Sequence, residues 1–95
     1  MYTQLDIEIR PKGALDDYKM KHFTKKGRQI VEAFHEEFQP YIVRGRQRRT
    51  YKLTSRDEKY DAFWEFWEKH KEEFDIVVYG STIHEKEDLE AADAF

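Results

Sequence analysis

The chain has 95 residues, of which 39% are charged, 16% are aromatic and none is cysteine, and its formal net charge is −3. That length fits one domain and excludes two. The missing cysteine excludes disulfides, thiolate catalysis and cysteine-ligated zinc, and so balanced a charge gives no global pull toward nucleic acid or a membrane. A mean hydropathy of −0.99 would suit a disordered chain, but aromatic residues in periodic groups bury enough area to organise a small core.

The first predicted element is a strand. Thr3, Leu5, Ile7 and Ile9 alternate with Gln4, Asp6, Glu8 and Arg10, the period of a sheet with one buried face. Pro11 and Gly13 break it. Phe23, Gly27, Ile30, Val31, Phe34 and Phe38 then recur at the spacing of one helix face. Asp16 or Asp17 would cap a long version of this helix, and Thr24 a shorter one. Gln39-Pro40 ends it.

Tyr41-Ile42-Val43 reads as a second strand, residues 44–48 as a turn, and Arg49 to Thr54 as a third strand, which together make a hairpin. Ser55-Arg56-Asp57-Glu58 has the S-x-x-E form of a capping box. It precedes a helix over Asp57–Glu73 whose buried face is Tyr60, Phe63, Trp64, Trp67 and Phe74. Asp75 to Thr82 reads as a last strand centred on Ile76, Val77, Val78 and Tyr79. The expected organisation is one α+β domain over 1–84 with an acidic tail over 85–95.

The order β-α-β-β-α-β is the split-βαβ, ferredoxin-like arrangement. It predicts a two-layer sandwich in which an antiparallel four-stranded sheet carries both helices on one face, with the first and third strands side by side at its centre. The expected core includes Ile7, Ile30, Phe34, Leu53, Phe63, Trp67 and Val78.

Two segments stand out as candidate binding surfaces. The stretch Tyr41–Arg56 holds Arg44, Arg46, Arg48, Arg49, Lys52 and Arg56 with no acidic residue before Asp57. Guanidinium groups pair in bidentate fashion with carboxylate or phosphate. The segment therefore reads as a docking loop for an acidic protein patch, or for nucleic acid through Arg46, Arg48 and Arg49. The bland alternative is a solvated turn whose arginines pair with nearby acids. The second segment is the aromatic helix, where Phe66 lies about 60° from the buried stripe at 100° per residue. Phe66 either is left exposed for a partner protein or a second copy of the chain, or fills the core with the other rings.

Sheet-face RNA reading is disfavoured, because the outward residues of the central strands include Asp6 and Glu8 and no aromatic. Catalysis and metal binding have little support. His22, His35, His70 and His84 lack metal-ligand spacing, Ser81 lacks a nucleophile context, and the four glycines are isolated. The segment IRPKGALDDYK places an acidic pair where a phosphate loop would need donors. The tail reads as an interaction terminus, or as a solubilising end that folds back on the arginines. No catalytic residue, cofactor or metal is expected. No run approaches a membrane span and no signal-peptide pattern opens the chain, so no membrane association and a cytoplasmic location are expected. The leading expectation is a non-enzymatic regulator or inhibitor-like protein that binds another protein. The alternatives are a nucleic-acid-binding module and, more weakly, a small-molecule enzyme with a pocket between sheet and helices.

Overall fold

The computed structural model describes residues 1–14, 17–45 and 48–85. Strand β1 spans Tyr2–Pro11, helix α1 Lys25–Glu37, strand β2 Tyr51–Thr54, helix α2 Tyr60–His70 and strand β3 Phe74–Ile83. Short 3-10 turns occupy Met20–His22 and Gln39–Tyr41.

The alternation in β1 does what its period requires. Leu5, Ile7 and Ile9 are buried and pack with Tyr51 and Leu53 of β2. β1 is the central strand, antiparallel to both neighbours, in the order β2-β1-β3. It pairs with β2 over Gln4↔Thr54 to Ile7↔Tyr51, and with β3 over its whole length, from Tyr2↔Ile83 to Pro11↔Phe74. The helices cover the buried face. The stripe predicted for α1 is observed, with Phe23, Gly27, Val31, Phe34 and Phe38 buried and Ile30 half-buried. Phe34 stacks on Phe38 at 4.3 Å and meets Tyr51, Phe63 and Phe66. In α2 the fully buried residue is Phe63, while Trp64, Phe66 and Trp67 are half-buried.

The four-stranded sheet is corrected. Among the described residues the sheet has three strands, and the expected second strand, Tyr41–Val43, is not one of them. Pro40 enters a 3-10 turn at its first positions, which takes up Tyr41. What is left of the hairpin is a single bridge, Ile42↔Tyr51, and the bond from Val43 N to Thr50 O at 2.8 Å. The ladder between β1 and β2 also ends sooner than expected, at Tyr51 rather than Arg49.

Of the two helix starts, that of α1 is set by a side-chain hydrogen bond. Thr24, not Asp17, caps α1 by accepting from Gly27 N at 2.9 Å; Asp16 lies outside the described residues. The expected capping box on Ser55 and Glu58 is not found at α2, whose N-cap Lys59 has no side-chain capping bond; the bonds there close a turn on Thr54 instead. Thr54 N donates to Asp57 Oδ2 at 2.6 Å, and Arg56 N donates to Thr54 Oγ1 at 3.3 Å. Ser55 serves the sheet instead, its Oγ accepting from Thr3 N at 3.0 Å. The helix begins after a run of turns, at Tyr60.

Candidate functional site

Among the described residues, the sheet's second face carries no helix. Strand parity places Gln4, Asp6, Glu8 and Arg10 of β1 on it, with Lys52 and Thr54 of β2 and Asp75, Val77, Tyr79 and Ser81 of β3. A shallow depression of about 320 Å³ crosses this face between Val43 and Thr50 on one side and Val77 and Tyr79 on the other. Tyr79, opposite Asp6, is 70% exposed. Tyrosine joins an apolar ring to a polar tip, the kind of side chain enriched where proteins meet partners.

Ion pairs surround the depression. Glu8, whose side chain is only 12% exposed, accepts from Arg10 Nε at 3.0 Å and lies 3.6 Å from Arg48 Nη1. Asp6 lies 4.0 Å from Lys52 Nζ. Thr50 lines the depression too, and its Oγ1 is buried with no hydrogen bond among the described residues. The apolar residues Val43, Val77 and Tyr79 flank the depression, and Asp6 and Glu8 of the central strand lie between them, so the patch mixes apolar and charged groups.

The structure separates the residues of the basic segment. Arg48 reaches to Glu8 on the open face, whereas Arg49 turns to the helix layer and donates to Glu32 Oε1 of α1 at 2.8 Å. Lys52 stays on the open face. Arg44 is exposed in the turn before Gly45, whose φ of +80° only glycine adopts freely. Arg46 lies outside the described residues. Arg56 pairs with Glu85 and covers the Tyr2 ring at 4.6 Å. The described arginines beyond the turn thus meet carboxylates of other elements rather than forming one uncompensated patch. The acidic tail beyond Glu85 lies outside the described residues.

Phe66 sits between the helices, its ring 4.6 Å from both Phe34 and His70. It lines a groove with Ile30, Lys26 and Glu73. The structure therefore does not bring Phe66 together with the basic residues. Tyr79 is the exposed aromatic that sequence reasoning passed over. The run Ile76-Val77-Val78-Tyr79 hides its alternation, because all four residues are apolar, and only the pairing with β1 reveals which side each takes.

A second cleft, of about 280 Å³, opens beside Ile9 where β2 parts from β1, lined by Tyr18, Phe23, Val31, Arg48, Arg49 and Tyr51. Thr3 bonds Ser55 through both its N–H and its C=O, so the odd residues of β1 direct their peptide groups toward β2. The Ile9 carbonyl would be left open there, and Tyr18 donates to it at 3.3 Å. The Tyr51 hydroxyl lies 2.9 Å from His35 Nδ1. Burial first, and then the Glu8 carboxylate, push the Tyr18 hydroxyl up to about 12. Burial pushes Tyr51 up to about 12 as well, with the Arg49 charge opposing and the Glu32 charge adding. Both phenols are neutral at any ordinary pH and serve as hydrogen-bonding groups. The two guanidiniums at this cleft already hold Glu8 and Glu32, so it offers no open anion site.

Among the described residues there is no group of three metal-ligating side chains, and no helix is long and apolar enough to cross a membrane. The histidines are dispersed: His22 Nδ1 accepts from Lys19 N at 2.8 Å, and His70 Nδ1 lies 3.1 Å from Glu73. No family model matches this chain, and no curated protein or solved structure matches it. Its function has to be read from its own surfaces.

Proposed function

We propose that this chain is a non-enzymatic binding protein that engages another protein through the open face of its sheet, with Tyr79 as the anchor. One observation carries the reading: a 70% exposed tyrosine on a sheet face that no helix among the described residues covers. Val77 supplies apolar area beside it, and Asp6 and Glu8 of the central strand, with Arg10, Arg48 and Lys52, supply charges of both signs. This mixture favours a partner with mixed charges over a uniformly anionic one such as nucleic acid, because Asp6 and Glu8 repel phosphate. Burying Tyr79 would desolvate the ring while its hydroxyl keeps a polar contact, the usual behaviour of an interface hot spot. A cytoplasmic setting belongs to this reading, supported by the absence of cysteine.

The test is affinity capture from the source organism with the full chain, with and without nuclease, beside the variant Tyr79→Ala. The expected result is a nuclease-resistant protein partner whose recovery falls at least about tenfold in the variant, equivalent to roughly 1.4 kcal/mol, with the thermal midpoint unchanged. Capture unaffected by Tyr79→Ala would overturn the reading. Capture abolished by nuclease would replace it with the nucleic-acid alternative.

A further inference from the structure

We infer that β3 pairs with β3 of a second copy, antiparallel and about a two-fold axis at Val78, to make one continuous six-stranded sheet. The open-face reading is not needed for this, since the contact is the strand's edge rather than its face.

β3 is ten residues long and forms one edge of the sheet. Its odd residues face β1, because even residues of β1 exchange hydrogen bonds with Asp75, Val77, Tyr79, Ser81 and Ile83. The N–H and C=O groups of Phe74, Ile76, Val78, Gly80 and Thr82 therefore point away from the sheet, where no described strand lies beside them. Monomeric proteins blunt such an edge with lysine, proline, a bulge or a short strand. β3 has none of these: its register with β1 is unbroken, and Asp75 is its sole charged residue. The opposite edge of the sheet contrasts with it. There β2 is four residues long, Thr50 O is taken by Val43 N, and Thr54 N is taken by Asp57.

The sequence of β3 is complementary to itself in this register. A two-fold axis at Val78 sets Ile76 opposite the second Gly80, and Val77 opposite the second Tyr79, which is an aromatic–β-branched cross-strand pair. Asp75 falls opposite Ser81, so no like charges meet. At Gly80 the position of a side chain is open, with Leu5 Cδ2 the only atom within 4 Å, at 3.6 Å, which leaves room for the facing isoleucine. About ten main-chain hydrogen bonds would close the ladder. An isologous contact of this kind closes on itself as a dimer and does not propagate.

Sedimentation equilibrium on the full chain should give twice the 11.6 kDa of one chain. The variant Val78→Pro removes an outward N–H, which the fold of one chain does not use, together with a half-buried side chain, and should halve the mass while the strand-region circular dichroism is retained. Because proline could also disturb the fold, a second variant reads the register directly. The chain has no cysteine, and the axis brings the two Val78 Cα atoms to about 5.5 Å, within disulfide reach. Val78→Cys should therefore form a disulfide-linked dimer under mild oxidation, whereas Glu36→Cys, on the exposed side of α1, should not. A single-chain mass for the wild type at high micromolar concentration overturns the inference, as does equal cross-linking of the two cysteine variants. Tyr79 lies opposite Val77 of the second copy in this ladder, so Tyr79→Ala would weaken the dimer as well as capture. Val78→Pro keeps Tyr79 and separates the two: a monomer that still captures the partner through Tyr79 leaves the open-face reading standing by itself.

Discussion

Phe34 joins the sheet to both helices through ring contacts with Tyr51, Phe63 and Phe66. Its removal leaves a cavity that three rings cannot close together, so Phe34→Ala should cost about 3–5 kcal/mol in denaturant unfolding. Phe66 is half-buried and packs on Phe34, so Phe66→Ala should cost less, about 2 kcal/mol. A larger loss at Phe66 than at Phe34 would show that the helix interface, not the sheet, limits stability. The two phenols give a pH signature of defined sign. Tyr18 and Tyr51 ionise near 10 when unfolded and near 12 in the fold. Their contribution is complete below the unfolded value and is lost as pH rises through the folded one. Denaturant midpoints should therefore fall between pH 10 and 12, and Tyr51→Phe should make that fall shallower.

At the scale of elements, α1 depends on its first turn. Thr24→Ala removes the acceptor for Gly27 N and should cost about 1 kcal/mol. Gly27→Ala would by helix propensity gain up to about 1 kcal/mol. The new methyl, however, would sit 3.0 Å from Thr24 Oγ1 and 3.2 Å from Phe74 Cε1. Thr24 is held by its capping bond and Phe74 is buried, so neither can give way, and a net loss in thermal midpoint is expected. The elements that were legible in the sequence are those with an uninterrupted period: the alternation of β1, and the Phe23–Phe38 stripe of α1. The failures have local causes. In Gln39-Pro40-Tyr41-Ile42-Val43 the β-branched pair reads as strand, but proline favours the start of a helical turn, and the turn took the segment's first half. In Thr54-Ser55-Arg56-Asp57 the S-x-x-E pattern reads as a helix cap, but Asp57 bonds back to Thr54 and closes a turn, and the helix starts only at Tyr60. The core list was right for Ile7, Phe34, Leu53 and Phe63, whereas Ile30, Trp67 and Val78 are half-buried. Trp67 and Val78 belong to the elements that border the sheet's free edge. The basic residues of the candidate surface were visible by composition, but their division between two layers follows from pairing geometry that no local pattern encodes.

Over the whole molecule, charge is neutralised locally. Arg48 meets Glu8, Arg49 meets Glu32, Lys52 meets Asp6 and Lys59 meets Glu37. Such pairs are each worth about 0–1 kcal/mol when exposed. Arg49→Gln should therefore change stability by less than about 1 kcal/mol, read as a denaturant midpoint. Arg48→Gln should cost more, because it leaves the largely covered Glu8 to Arg10 alone. With cations and anions this interleaved, long-range attraction is small, and association with a protein partner should slow only modestly as salt is raised.

The position of β1 also governs how the chain reaches this structure. The first of the three strands in chain order is the central one, and it pairs with Tyr51–Thr54 on one side and Phe74–Ile83 on the other. Neither partner is a neighbour in sequence, so each ladder closes a long loop before it gains a hydrogen bond. Leu5, Ile7 and Ile9 have no cover until both later strands and the helices between them exist. Refolding should accordingly run in milliseconds to seconds rather than microseconds. A circular permutant that begins at α2 and joins β3 to β1 through a short turn would replace the longest closure with a hairpin, and should fold faster from an otherwise unchanged set of contacts.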